Sequence, residues 1–257
     1  MSQELLTRSA TPEAANRIPP PLWFARWSSV RVISVFVLAA YAALTVAVVV
    51  GSPLDALDHA AAAMGLTHRF PKVTPWVFDY VIVGQRGPSS VVAAIYLGWR
   101  AWRLRSWRPL VTLTTALVLL NAEVGVVKLA IGRLGPRFTT HPRAVFEGGD
   151  IFPSGHTSNA VVIFGVLAIV AVRYRREMVA LAIVMSATIG IGTVFLDTHW
   201  VTDVLGGWLA GILVLLALQT VTTLVERWLA MMRMPYAQRA RTAAGTRRRL
   251  QEPRETG

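Results

Sequence analysis

Residues 178–203 read MVALAIVMSATIGIGTVFLDTHWVTD, Met178 to Asp203, and the change of character at Asp197 decides how the chain is organised. The first 19 residues, Met178 to Leu196, carry no charge. As a helix rising about 1.5 Å per residue, such a run crosses the roughly 30 Å hydrocarbon core of a bilayer. The seven residues that follow contain Asp197, Thr198, His199, Trp200, Thr202 and Asp203, a composition suited to the membrane–water boundary. A membrane span ending in a cluster of titratable side chains is therefore the unit to seek elsewhere.

Working outward, apolar runs of similar character cover Val30 to Gly51, Pro109 to Ala130, Thr157 to Val172 and Val204 to Leu224. A sixth, Pro88 to Gly98, is shorter and is closed abruptly by Arg100, Arg103, Arg105 and Arg108. With 54% hydrophobic residues in 257, the chain holds more apolar surface than one soluble core can bury. The expected fold is all-α, a six-transmembrane-helix bundle. It is preceded by a polar N-terminal tail (1–29), occupies 30–228 and is followed by a basic tail (229–257) expected to be disordered. No small-residue cleavage site follows a short apolar core, so the start does not read as a cleaved signal peptide.

The net charge of +12 does not point to nucleic acid, because the basic residues sit at span ends and in the tail rather than on one folded face. Placing both termini in the cytoplasm puts 19 of the 26 lysines and arginines inside. The positive-inside bias then sets the loops after the third and fifth spans outside, in the plasma (inner) membrane. Cysteine is absent, which excludes disulfide and thiol chemistry.

Three polar clusters fall at that outer face. The first, Lys128 to Arg137, closes the third span; a lysine there can also simply snorkel to the headgroups. The second, Phe152 to Thr157, opens the fourth span with Pro153, Ser154, Gly155 and His156. A helix start offers free N–H groups to an anion, and a histidine beside it can pass a proton to a leaving oxygen. In the third, the spacing of four puts His199 and Asp203 on one helical face, where the carboxylate can orient the imidazole. Asn121 shares a helix face with Lys128, and Glu123 lies in the same span. For both, interhelical hydrogen bonding is the simpler reading.

These motifs resemble those of the type 2 phosphatidic-acid phosphatase superfamily, whose members include lipid phosphate phosphatases and, more remotely, vanadium haloperoxidases. The family pattern is a lysine, six residues and Arg-Pro; then Pro-Ser-Gly-His; then Ser-Arg, five residues, His, three residues and Asp. The chain carries Lys128 and Pro136 of the first, all of Pro153 to His156, and His199 with Asp203 of the third. The resemblance implies that His199 attacks phosphorus to form a phosphohistidine, Asp203 orients it, and His156 protonates the leaving group and later activates water. It further implies that Lys128 and the backbone around Ser154 and Gly155 hold the phosphate oxygens. The scheme needs no metal or cofactor.

Two departures stand out. The arginine before the first motif's proline is Gly135 here, and the Ser-Arg pair is Gly192 and Thr193. Arg133 and Arg137 flank Gly135, and at least one of them is expected to replace the missing phosphate clamp. The function implied is a metal-independent phosphatase acting on a membrane lipid phosphate or polyprenyl diphosphate from the extracytoplasmic side, with membrane lipids as its surroundings. The alternatives are a lipid phosphotransferase, or a weakened protein that only binds lipid phosphates. The long loop 52–87, with helical composition over Asp55 to Met64, reads either as a cover over the site or as packing.

Overall fold

A computed structural model describes residues 27–171 and 174–251; the tail 1–26 expected from the sequence lies outside the described residues. Every described element is helical: α1 (Trp27–Val50), α2 (Leu54–Ala63), α3 (Leu66–Arg69), α4 (Thr74–Val81), a 3-10 turn (Ile82–Gly84), α5 (Arg86–Arg103), α6 (Arg108–Ile131), α7 (Gly155–Val170), α8 (Arg175–Phe195) and α9 (Val201–Gln251). The chain divides into two compact units, 1–218 and 219–257. The first holds the packed bundle. The second is helical as far as Gln251. Its alanine, leucine and arginine residues are all strong helix formers.

Among the described residues, four helices are long and apolar enough to cross a membrane: Val30–Val50, Arg108–Ile131, Arg175–Phe195 and Val201–Leu229. The other two expected spans differ for separate reasons. The fourth, α7, is apolar but only 16 residues long. Twelve of those residues are buried, so α7 is the enclosed centre of the bundle and meets other helices rather than lipid. The second, α5, runs 18 residues and continues past the expected end at Gly98 because arginine stops an apolar run without stopping a helix. Ser89, Ala93, Leu97 and Ala101, four residues apart, face inward, while Val91, Val92 and Ile95 are exposed on the opposite side. The Arg103 guanidinium lies 5.6 Å from the centre of the Trp99 ring, a cation held against an aromatic near the helix end.

The outermost helix is α1, with Val32, Val35 and Phe36 exposed and only 17% of its apolar window buried, an arrangement that lipid tolerates and water does not. By contrast α7 and α9 approach closely through small residues. A Cβ added at Gly207 would lie 2.8 Å from the Ser154 carbonyl oxygen, and one at Gly211 would lie 2.6 Å from Val161 Cβ. Close small-residue contact of this kind substitutes for the hydrophobic effect where lipid is the solvent. It also brings the second and third motifs side by side.

Candidate active site

Each of the three clusters sits at a helix end. The last turn of α6 carries Lys128, and Gly132 follows in a left-handed conformation (φ +53°), its N–H closing onto the Lys128 carbonyl at 2.9 Å. Ser154 caps α7: its Oγ accepts from the Thr157 N–H at 3.4 Å and from the Thr157 hydroxyl at 3.0 Å. Asp203, in the first turn of α9, reaches back so that Oδ2 accepts the Trp200 N–H at 2.9 Å. A main-chain bond ties two of the ends together, from the Ser154 N–H to the Asp203 carbonyl at 2.9 Å.

The imidazoles of His156 and His199 stand 6.0 Å apart, centre to centre, inclined at 71°. His199 Nδ1 lies 3.5 Å from Asp203 Oδ2, an ion-pair separation longer than a hydrogen bond. With Nδ1 turned to the carboxylate, the other ring nitrogen is the one free to meet a substrate. The Lys128 ammonium donates to the Asp150 carbonyl and lies 4.0 Å from its carboxylate. A Cβ on Gly155 would come within 3.8 Å of that ammonium, so the glycine leaves the lysine beside the start of α7. Lys128 is within electrostatic range of both His156 and Asp203. Ser154 is fully buried and its N–H is committed, leaving the first-turn N–H groups of Gly155 and His156 as the donors without a carbonyl one turn back.

Arg133 is placed differently from the expectation. Its side chain is fully buried and its donors are spoken for: Nε to the Pro142 carbonyl at 2.8 Å, one terminal nitrogen to Thr202 Oγ1 at 2.7 Å and Asp203 Oδ1 at 2.5 Å, the other to Asp58 Oδ2 at 2.8 Å. Trp200 covers it, with the guanidinium 5.7 Å from the ring centre. A guanidinium so engaged serves the carboxylate behind His199 and does not face the space between the two imidazoles. Arg137 points elsewhere as well, donating twice to the Leu196 carbonyl, at 2.9 and 3.3 Å. The cavity beside it, about 640 Å³, is lined by His59, Thr67, His68, Asp197, Leu196 and Trp200 among others.

Asp58, on α2, is a residue that no pattern in the sequence singles out. Its Oδ1 accepts the Thr202 N–H at 2.9 Å, and its Oδ2 accepts the Thr202 hydroxyl at 2.6 Å as well as Arg133. Burial pushes the Asp58 carboxyl up from its ordinary value, and the Thr202 donors and Arg133 offset only part of that rise. Asp55, three residues earlier, pairs with Arg143. The long loop is therefore anchored by acidic residues of α2 to arginines of the 132–151 segment. Through these contacts α2 packs against the elements that carry the site.

The vacated arginine positions are structurally closed. A Cβ at Gly135 would already lie 3.1 Å from Ile151 and 3.3 Å from the Thr198 carbonyl. One at Gly192 would lie 2.7 Å from Val81, and Thr193 is fully buried, its hydroxyl donating to the Gly190 carbonyl at 2.7 Å. Another cation stands nearby instead. Arg86, at the start of α5, hydrogen-bonds Asn121 Oδ1 and is within electrostatic range of Lys128. Its turn is fixed to the histidine helix, since Asn159 Nδ2 donates to the Gly84 carbonyl at 3.1 Å and to Ser89 Oγ at 2.7 Å. Asn121 thus has a partner across helices, whereas the carboxylate of Glu123 has no hydrogen-bond partner among the described residues. In the sequence, Arg86 was visible only as one basic residue of a long loop.

Phosphatidylglycerophosphatase B of Bacillus subtilis (strain 168) is 36% identical over 95 residues, 34% of this chain and 45% of the relative, so the chain spans less than half of that relative's length in the match. In fold, the chain is similar to the crystal structure described as the first transmembrane PAP2 type phosphatidylglycerolphosphate phosphatase from Bacillus subtilis. The TM-score is 0.61 at 24% identity, covering 73% of this chain and 94% of that one. The sequence model of the PAP2 superfamily matches residues 105–226, a segment that contains all three motifs. That segment is just under half of the chain, and through it the chain is similar to the PAP2 superfamily.

Proposed function

We propose that this protein removes a phosphate from a membrane lipid phosphate ester or diphosphate. In this reading α5 and α7 also cross the bilayer, giving six crossings with both ends on the cytoplasmic side and the site at the outer boundary, as the distribution of basic residues favours. The observation that carries the proposal is the approach of His156 and His199 to 6.0 Å beside Lys128, at three helix ends.

Neutral His199, with its proton on Nδ1 towards Asp203, attacks phosphorus through Nε2. A P–N bond forms as the bond from phosphorus to the lipid oxygen breaks. His156, protonated, gives its proton to that oxygen. In the second half His156 takes a proton from water, the water oxygen attacks phosphorus, and the P–N bond breaks to return neutral His199 and inorganic phosphate. Asp203 stabilises the charge that His199 gains as it becomes a phosphohistidine. The Lys128 ammonium and the N–H groups of Gly155 and His156 neutralise the non-bridging oxygens, with Arg86 as the second cation in place of the absent family arginines.

The name of the similar Bacillus protein makes phosphatidylglycerol phosphate the first substrate to try, with phosphatidic acid and a polyprenyl diphosphate beside it. Purified full-length protein, incubated with each lipid in the presence of a chelator, is expected to release inorganic phosphate and to lose that activity with His199→Ala. Release that survives the substitution would show that another group makes the first attack.

A further inference from the structure

Two carboxylates share the one guanidinium behind the candidate nucleophile. Asp203 and Asp58 each accept from Arg133, at 2.5 and 2.8 Å, and all three side chains are fully buried. Each partner alone would give a neutral pair. If Arg133 met only Asp203, its charge would cancel the carboxylate that faces His199 Nδ1. The second carboxylate removes that cancellation.

The donors around Asp58 fix its state. Its two oxygens accept the Thr202 N–H, the Thr202 hydroxyl and an Arg133 N–H. The Thr202 hydroxyl in turn accepts from Arg133, which directs its own proton towards Asp58. A protonated Asp58 would have to donate where its neighbours are donors, so the hydrogen-bond pattern favours the carboxylate. With both acids ionised, the buried cluster carries one net negative charge, and His199 is its nearest titratable neighbour.

We propose that Asp58 is a positioning residue for this site: by sharing Arg133 with Asp203, it preserves the negative charge that orients His199. The other charged or titratable groups around the pair are His156 on α7 and Lys128 on α6. Both are left in place by a change at Asp58. The kinetic part of the proposal rests on the phosphatase reading above; the electrostatic part does not.

The test follows the His199 imidazole by NMR in full-length, histidine-labelled protein in nanodiscs, its signal assigned by loss in His199→Gln. Asp58→Asn keeps the shape and removes one negative charge, and is expected to lower the ratio of the Nδ1–H to the Nε2–H tautomer of neutral His199, read from its ring-nitrogen shifts, by about tenfold. The double variant Asp58→Asn with Arg133→Gln removes one charge of each sign and is expected to return that ratio to within about threefold of the wild type. A role in packing alone predicts no such return. On the same samples, kcat for phosphate release from short-chain phosphatidic acid is expected to fall about tenfold in Asp58→Asn with KM unchanged.

A folded Asp58→Asn protein with the wild-type tautomer ratio overturns the proposal. So does a folded double variant whose ratio is displaced by about tenfold, and so does collapse of both variants, which would make Asp58 a folding residue instead. If the ratios move as expected while His199→Ala still releases phosphate, the phosphatase mechanism fails and the role of Asp58 stands. If His199→Ala is inactive and the ratios do not move, the reverse holds.

Discussion

Lys128 and Arg133 are five residues apart, on either side of the helix stop at Gly132, and the protein uses them in opposite ways. Lys128 lies within the last turn of α6, its side chain 20% exposed, and projects towards the start of α7. Arg133 follows the left-handed turn and is carried back beneath α9, where nothing of it is exposed. A compact ammonium with spare donors suits a site that must accept and release an anion. A planar guanidinium suits a permanent bracket between carboxylates. Charge alone therefore does not identify a phosphate clamp; the backbone path into the residue does.

The comparison breaks most visibly in stability. Arg133→Ala leaves two buried carboxylates facing each other without a cation, and is expected to cost about 3–5 kcal/mol, read as a lowered unfolding temperature in detergent. Lys128→Ala is expected to leave that temperature nearly unchanged and to reduce kcat for phosphate release by roughly 10²–10³. If the two variants exchanged these phenotypes, the assignment of bracket and clamp would be inverted. Arg86→Ala sharpens the clamp side: loss of one charge-assisted contact of about 1.5–3 kcal/mol predicts a fall of about 10- to 100-fold in kcat/KM, with Arg86→Lys recovering part of it. On the bracket side, Arg143→Ala removes only the exposed pair with Asp55, whose arginine is 62% exposed. Its expected cost is under about 1 kcal/mol, within reach of careful thermal unfolding.

How much of this the sequence disclosed depends on how local each signal is. The long spans were legible because lipid requires an unbroken apolar run, and α6, α8 and the first part of α9 begin within three residues of where that run starts. The extent of α5 was harder to read, since Arg100 and Arg103 end the hydropathy signal while the backbone continues to Arg103. His156, His199 and Asp203 were legible through motif spacing. Asp58 was not, because its partners Arg133 and Thr202 lie 75 and 144 residues away and no periodicity links such positions. Trp200 is hidden for a related reason: it is buried and donates to the Leu134 carbonyl at 2.9 Å, a contact between positions 66 residues apart.

The bond from the Ser154 N–H to the Asp203 carbonyl bears on how the pairing of these helix ends endures sequence change. It joins two main chains, so side-chain substitutions at either residue leave both of its atoms in place. Proline at 154 is the exception, because it lacks the donor. Mutational drift deep in the bundle can then alter lipid contacts, thickness matching or thermal tolerance while the two histidine-bearing helix ends remain in register.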